Sequence, residues 1–376
     1  MYVKAFCNPE FAGYTQESDF LSSRKGAALI ALGVFLHALG GFASGSFYIP
    51  LKKVKGWGWE SGWLVNGVFS WLIMPWIVAS LTVPGLADCL KEAPGKNVLW
   101  CYLFGVLWGI GGLTFGLSMR YLGMSLGYAI ALGLCAAFGT LIPPIYDGRL
   151  GELLASASGR TILCGVLVCL AGIAICGLAG FCKERELTDE QKKESIAEFN
   201  LVKGLMVALF AGVMSACFAF GLQAGKPIAA LAVEKGVPAL WQQSTVLIII
   251  LAGGFTTNFL FCLVLNLKNK TGKDYVRAKK ASLGLNYLFC AMAGITWYLQ
   301  FMFYGMGMSK MGKYDFSSWT IHMAFIIVFS NIWGLYFKEW KGSSRRTINI
   351  VIAGILIVTL STLIIGAGNY LAAEDN

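Results

Sequence analysis

Residues 27–50 read AALIALGVFLHALGGFASGSFYIP, with no Asp, Glu, Lys or Arg among them and His37 as the one side chain that changes charge near neutral pH. About 20 mainly apolar residues suffice to cross the hydrocarbon of a bilayer as one helix. The stretch is too long for the apolar core of a cleaved signal and follows a mixed polar segment, Asn8 to Lys25, so it reads as a spanning helix. Nine further apolar runs follow, at 61–82, 97–118, 121–144, 160–182, 201–224, 241–266, 282–308, 316–337 and 347–372. All 20 acidic residues lie outside these ten runs. Carboxylates are costly in hydrocarbon, so their exclusion is what a lipid-embedded chain requires. The expected fold class is all-α, a polytopic membrane protein with ten transmembrane helices.

Composition agrees. The 376 residues are 57% hydrophobic and 13% charged, with a mean hydropathy of +0.66, too little charge to solvate a globular surface of this size. A net charge of +10 points to nucleic acid only if its distribution is ignored. Assigned to alternate connections, the 30 Lys and Arg divide into 19 and 11, the richer side holding Lys52, Lys53, Lys55 and the loop from Lys268 to Lys280. The positive-inside rule makes that side cytoplasmic and sends both termini to the periplasm. These loop cations fix topology and touch anionic lipid. The 11 cysteines follow no metal spacing; Cys164, Cys169, Cys176 and Cys182 read as small apolar side chains along one run.

The runs split five and five. The expected organisation is a polar N-terminal extension, 1–26, a first five-helix repeat, 27–182, a charged cytoplasmic linker, 183–200, a second five-helix repeat, 201–372, and a tail, 373–376. Two echoes relate the halves. Trp108, Phe115, Met119 and Gly123 recur at the same offsets as Trp297, Tyr304, Met308 and Gly312, and Arg160-Thr161-Ile162 opens run five as Arg346-Thr347-Ile348 opens run ten. Five crossings per half is an odd number, so the second half enters the membrane inverted, the arrangement that lets a transporter expose one central site alternately to either side. Small residues mark where helices approach: Gly40, Gly41, Ala43, Ser44, Gly45 and Ser46 in run one, and a ladder of Gly105, Gly109, Gly112 and Gly116 in run three.

Polar residues inside the runs are few. His37 sits near mid-membrane and reads either as a proton-responsive group or as a neutral histidine in an interhelical hydrogen bond. His322 lies about two turns into run nine, behind Asp315, which also suits a helix-capping role. Asp315 and His322 share a face but are separated by about 10 Å of helical rise, so they read as successive points on a proton path bridged by water. Amides near aromatic rings suit a neutral polyol, whose hydroxyls need hydrogen bonds and whose C–H face needs an apolar wall. Gln300 lies among Trp297 and Tyr304, Asn66 lies near Trp71, and Asn258 and Trp319 add to the candidates. Lys226 and Lys310 read as snorkelling from helix ends. No H-E-x-x-H, P-loop or G-x-S-x-G pattern occurs, and the peripheral acids leave no convergent catalytic set. Neither a catalytic residue, a metal site nor a cofactor is expected. A non-transporting membrane sensor or structural protein stays open as an alternative, although the short loops offer it little output surface.

Several stretches together resemble the L-rhamnose–proton symporter family, within the wider drug and metabolite transporter group. They are His37-Ala38-Leu39-Gly40 through Phe47-Tyr48-Ile49-Pro50-Leu51-Lys52-Lys53, Trp108-Gly109-Ile110-Gly111, Met119-Arg120-Tyr121-Leu122-Gly123, Trp297-Tyr298-Leu299-Gln300-Phe301, Tyr314-Asp315 with Ser318-Trp319 and His322-Met323, and Lys338-Glu339-Trp340. The resemblance covers most of the chain from about residue 30. It implies ten helices in the bacterial inner membrane and entry of L-rhamnose coupled to protons, with His37, Gln300, Asp315 and His322 at matching positions. The chain departs from the family pattern at Gly112-Leu113-Thr114-Phe115, where that pattern carries asparagine and tyrosine, and at Gln223, where it carries asparagine. Loss of an amide near the centre can alter sugar preference, which leaves another deoxysugar, a hexose or a small metabolite as alternative solutes.

Overall fold

A computed structural model describes residues 9–122, 124–186, 201–277, 282–337 and 340–374. Expectations that fall on 187–200 of the linker, on Gly123 of the internal echo, or on Lys338 and Glu339 lie outside these residues.

Every regular element among the described residues is helical, with ten long helical segments. They are α1 (Pro9–Ser46), α2 (Trp59–Thr82), α3 (Gly95–Leu122), α4 (Met124–Tyr146), α5 (Ala157–Glu186), α6 (Leu201–Ala224), α7 (Gln243–Asn269), α8 (Leu283–Met308), α9 (Ser318–Tyr336) and α10 (Arg345–Glu374). Among the described residues nine segments are long and apolar enough to cross a membrane, and the fourth contributes a shorter apolar stretch, Ile130–Tyr146. The protein is thus an all-α polytopic membrane protein with about nine apolar spans. Leucines such as Leu167, Leu267, Leu356 and Leu363 point outward and exposed, the surface that lipid covers.

Three boundaries differ from the hydropathy pattern. Helix α1 continues back through the polar extension to Pro9, because Glu, Gln, Lys and Arg are good helix formers even where they are poor membrane residues. Tyr121 and Leu122 end α3 rather than begin α4. Phe316 and Ser317 belong to a 3-10 turn, Gly312–Ser317, that precedes α9. Ser317 is the N-terminal cap position of α9 and no side chain caps it, so Asp315 and Ser318 do not serve as caps.

Helix α2 is the irregular one. Its α-helical ends, Trp59–Gly67 and Met74–Thr82, flank a π-helical turn, Val68–Ile73. Pro75 has no N–H to donate back toward Trp71, and a wider turn accommodates the interrupted ladder.

Packing pairs the halves reciprocally. Helix α3 packs on α6 and α7, and α4 packs on α6; correspondingly α8 packs on α1 and α2, and α9 packs on α1. The fifth and tenth helices run against each other along their lengths. At the centre of the bundle Trp71, Phe218, Phe301, Tyr304 and Trp319 form one buried core with Trp63, Trp108 and Trp297 against it.

Candidate functional site

Two sites of close approach bring α1, α8 and α9 together around the histidines. A Cβ on Gly307 would lie 2.9 Å from His37 Cε1 and 3.0 Å from the Gly33 carbonyl, and one on Gly40 would lie 2.9 Å from His322 Cε1 and 3.0 Å from the Gln300 carbonyl. Only glycine lets these backbones approach so far. The result is a compact cluster: the His37 and His322 ring centroids are 6.2 Å apart, and the Tyr304 ring is 5.3 Å from His37 and 5.1 Å from His322. Trp319 stands edge-on to Tyr304 at 5.8 Å. His37 is fully buried, and neither of its ring nitrogens finds a hydrogen-bond partner; the same holds for His322 Nδ1 and Gln300 Nε2. The structural alternative for His37, a neutral histidine held by an interhelical side-chain bond, therefore lacks its bond. Buried polar groups are ordinarily satisfied, and those that are not mark places where another conformation, a proton or a solute supplies the partner.

A narrow cleft leads toward this cluster. It is small, with a cavity volume of about 20 Å³, room for about one water, and is lined by Gln223 and Asp315 near the surface and by Tyr304 and Trp319 inside. Asp315 is held by Lys226, whose Nζ lies 3.1 Å from Oδ1 and 2.9 Å from Oδ2. Lys226 is therefore a partner of the candidate carboxylate, not simply a snorkelling helix-end cation. The turn that carries Asp315 is fixed again by Lys313, 2.6 Å from Glu152, which Arg149 also contacts at 3.3 Å. Those two bonds, the one from Lys313 first, hold the Glu152 carboxyl below its usual range. Gln223 Nε2 donates to Asp147 at 2.8 Å.

The remaining candidates cluster one layer away, around α2. Trp297 stacks on Phe47 at 4.3 Å and meets Trp63 at 5.0 Å and Trp71 at 5.2 Å. Trp108, the counterpart of Trp297 in the internal echo, meets Trp71 from the other side at 6.1 Å. Asn66 is fully buried with its amide oxygen and nitrogen both unpartnered, and Trp71 Nε1 is unpartnered too. Asn258 is different: its oxygen accepts from Trp63 Nε1 at 3.1 Å and its nitrogen donates to the Gly254 carbonyl at 2.9 Å, so its amide is engaged within the protein. Trp319 likewise donates its indole N–H to the Cys135 carbonyl at 3.0 Å, tying α9 to α4.

The opposite end of the bundle is shut by a polar network that sequence reading did not foresee. Glu60 Oε1 accepts from Thr271 Oγ1 at 2.7 Å and Asn269 Nδ2 at 3.0 Å. Asp274 Oδ2 accepts from the Gly58 N–H at 2.7 Å and Ser61 Oγ at 3.0 Å. Asn286 exchanges two bonds with the Lys55 main chain, 3.2 and 2.9 Å. Its members come from helix ends and loops more than 200 residues apart, which is why no local pattern announces it.

Fold and site together define a polytopic helical membrane protein of the solute-carrier kind. The profile of the family described as L-rhamnose-proton symport protein (RhaT) matches residues 26–371. A protein named L-rhamnose-proton symporter in Yersinia pestis (strain Pestoides F) is 40% identical over 342 residues, covering 90% of this chain and 98% of that protein. One of the same name in Cronobacter sakazakii is 39% identical over the same shares. The chain belongs to the L-rhamnose-proton symporter family and is a multi-pass protein of the inner membrane.

Proposed function

We propose that this protein takes up L-rhamnose across the inner membrane together with protons, by alternating access between two inverted five-helix repeats, 27–182 and 201–372, which together span the bilayer ten times. The observation that carries this proposal is end-to-end similarity to proteins named for that activity, 98% of whose length the chain matches. The reciprocal packing of the halves and the convergence of Trp108 and Trp297 on Trp71 support the inverted arrangement. The division of Lys and Arg, 19 against 11, supports a cytoplasmic Glu60–Asp274 end, a cytoplasmic linker at 183–200 and periplasmic termini.

In this scheme Asp315, at the cleft mouth, receives the proton from outside and gives it by way of His322 to His37, whose charged form favours the sugar-binding outward state. Gln300, Trp297, Tyr304, Asn66, Trp71, Asn258 and Trp319 are the groups proposed to surround the sugar. The partnered amide of Asn258 assigns it a supporting role there, fixing the Trp63 ring. Histidine suits the coupling task because small changes in its surroundings carry its titration across neutral pH.

Reconstituted vesicles test the scheme. L-Rhamnose accumulates only when an inward proton gradient is imposed; accumulation that survives collapse of the gradient overturns proton coupling. His37→Gln abolishes accumulation while leaving downhill counterflow measurable, and a fully gradient-driven His37→Gln protein removes His37 from the scheme. Gln223, placed in the cleft beside Asp315, favours a second solute reading, another deoxysugar or hexose. A counterflow panel of rhamnose, fucose, lyxose and mannose decides between them.

A further inference from the structure

The interface of α2 and α8 around the π-helical turn gathers a second set of unpartnered polar atoms, beside that of the histidine cluster. Asn66 Oδ1 and Nδ2, Ser70 Oγ and Trp71 Nε1 all lack a hydrogen-bond partner, and so does Tyr298 OH on α8. All four residues are buried, Asn66, Ser70 and Tyr298 completely.

Geometry places them on one interface. Asn66 and Ser70 are four residues apart and Trp71 follows, so the widened turn Val68–Ile73, which carries Ser70 and Trp71, and the α-helical turn before it, which carries Asn66, set the three side chains on adjoining faces. The helix opposite is α8, in a register that can be read off its contacts. Asn286 bonds to Lys55, Cys290 faces Gly62, Gly294 sits against the Asn66 carbonyl and the Ser70 nitrogen, and Trp297 meets Trp71 at 5.2 Å. Tyr298 follows Gly294 by one turn on this stripe, at the level of the π turn. The two helices are pressed together there, since a Cβ on Gly294 would come within 2.6 Å of Phe69 Cβ.

The chemistry of the set is selective. It offers an amide, two hydroxyls and an indole N–H, and no charged side chain. Such a set fits the hydroxyls of a neutral sugar and gives nothing to a phosphate or carboxylate. The faces of Trp71 and Trp297 beside it supply the apolar wall that a pyranose C–H face needs.

We propose that Ser70 Oγ and Tyr298 OH, with the Asn66 amide, bind hydroxyls of the transported neutral sugar when α8 swings off the π turn, and that in the conformation described here this site is collapsed. This deepens the uptake proposal and rests on it for the identity of the sugar. An unpartnered buried hydroxyl costs stability in the sugar-free protein and is repaid only when the solute arrives, whereas a hydroxyl that joined two helices would stabilise the sugar-free protein.

The test compares wild type, Ser70→Ala and Tyr298→Phe, each variant lacking one oxygen. Expected are a sugar-free thermal midpoint in detergent equal to or above that of wild type, a smaller midpoint rise on adding L-rhamnose, and a half-saturating concentration in counterflow raised about tenfold per lost bond with the maximal rate within about twofold. Lower sugar-free midpoints with unchanged half-saturation overturn the inference in favour of a structural role. Wild-type half-saturation in both variants overturns it as well. Should wild type ignore L-rhamnose, the uptake proposal fails, and the same comparison is made with whichever of fucose, lyxose or mannose shifts its midpoint. If none of these sugars does so, the sugar site falls with it.

Discussion

Asp274→Asn should loosen the Glu60–Asp274 end of the bundle selectively. Asp274 Oδ2 accepts two hydrogen bonds that cross between loops, from the Gly58 N–H at 2.7 Å and from Ser61 Oγ at 3.0 Å. Bonds to a charged acceptor contribute about 1.5–3 kcal/mol each and neutral ones about 0.5–1.5 kcal/mol, so losing the charge while keeping the shape costs about 1 kcal/mol per bond. Both bonds are partly exposed to solvent, which places the total at about 1–2 kcal/mol, or about a 5- to 30-fold rise in the population open at this end.

The protein carries its own reporter of that opening. Cys290 is fully buried in a cluster with Leu51, Val65 and Ala293, over which Trp57 and Tyr275 pack beside the network. In a variant keeping Cys290 as its single cysteine, the rate of alkylation by a membrane-permeant maleimide is proportional to the open population when opening is fast compared with labelling. The Asp274→Asn substitution should raise that rate by the same 5- to 30-fold. A parallel variant keeping only Cys135, whose main chain receives Trp319 near the other end, should label no faster than before. Unchanged Cys290 labelling shows that Asp274 does not hold this end shut, and equal acceleration of both cysteines shows general loosening instead; either result refutes the assignment of the network as a latch.

Two further predictions concern stability. The Glu186 carboxyl is held below its ordinary range by Ser344 Oγ and Thr347 Oγ1 and by the Ser344 N–H, which tie the end of α5 to the start of α10. Because the folded chain favours the ionised form, this contribution is present above the unfolded pKa of about 4.3 and disappears as pH falls through the lower folded value. The difference in thermal midpoint between wild type and Glu186→Gln should thus be open at pH 7 and close on acidification below about pH 4; a gap that widens in acid contradicts the assignment. Within the glycine ladder of α3, Gly105→Ala drives a methyl into the Ile250 carbonyl, while Gly112→Ala meets nothing within 4 Å. The first should destabilise by about 1–3 kcal/mol and the second should be neutral or stabilise by up to about 1 kcal/mol, measured as denaturation midpoints in mild detergent.

The spans were legible because hydrocarbon imposes a length and excludes carboxylates, constraints that act on each segment alone. His37 and His322 were legible for the same reason, since an ionisable ring inside an apolar run stands out by itself. Their meeting with Tyr304 was not, because it depends on Gly40 and Gly307 admitting α1 against two helices that lie far along the chain. Pairing information was missing elsewhere too. Lys226 looks like any helix-end lysine until the fold sets it beside Asp315, 89 residues on. Asn258 reads from the sequence as an amide for the solute, and only the fold shows that it also bonds to Trp63 and to its own helix. Ser70 and Tyr298 gave no signal, for both are commonplace in membrane helices and only their burial without partners singles them out. The π turn went unread, although Pro75 inside an apolar run must break the ladder beside it.

The two ends of the bundle are held by different chemistry, and that difference bears on coupling. At the Asp315 end the turn and the start of α9 are held by the ion pair Lys226–Asp315, whose side chains are 39% and 20% exposed; pairs of this kind contribute about 0–1 kcal/mol. Buried bonds hold them too, from Asn369 to Ser317 at 2.8 Å, between Thr140 and Thr320 at 2.6 Å and from Trp319 to Cys135 at 3.0 Å. At the Glu60–Asp274 end two carboxylates share four hydrogen bonds, one of them from the main chain, and Asn286 adds two more. In the proposed cycle, opening at the Asp315 end displaces the turn Gly312–Ser317, which leads directly into Trp319 and His322 on α9, so that turn and one of the two histidines form one continuous piece. Helix α8 completes the connection: Tyr304 touches both histidines, while Gly294, nearly three turns away on the same rigid helix, seats against the π turn of α2. A proton that alters the packing of Tyr304 and a sugar that lifts α8 from α2 then bias the position of a single helix, and a shared element biased from both ends is what thermodynamic coupling between two ligands requires.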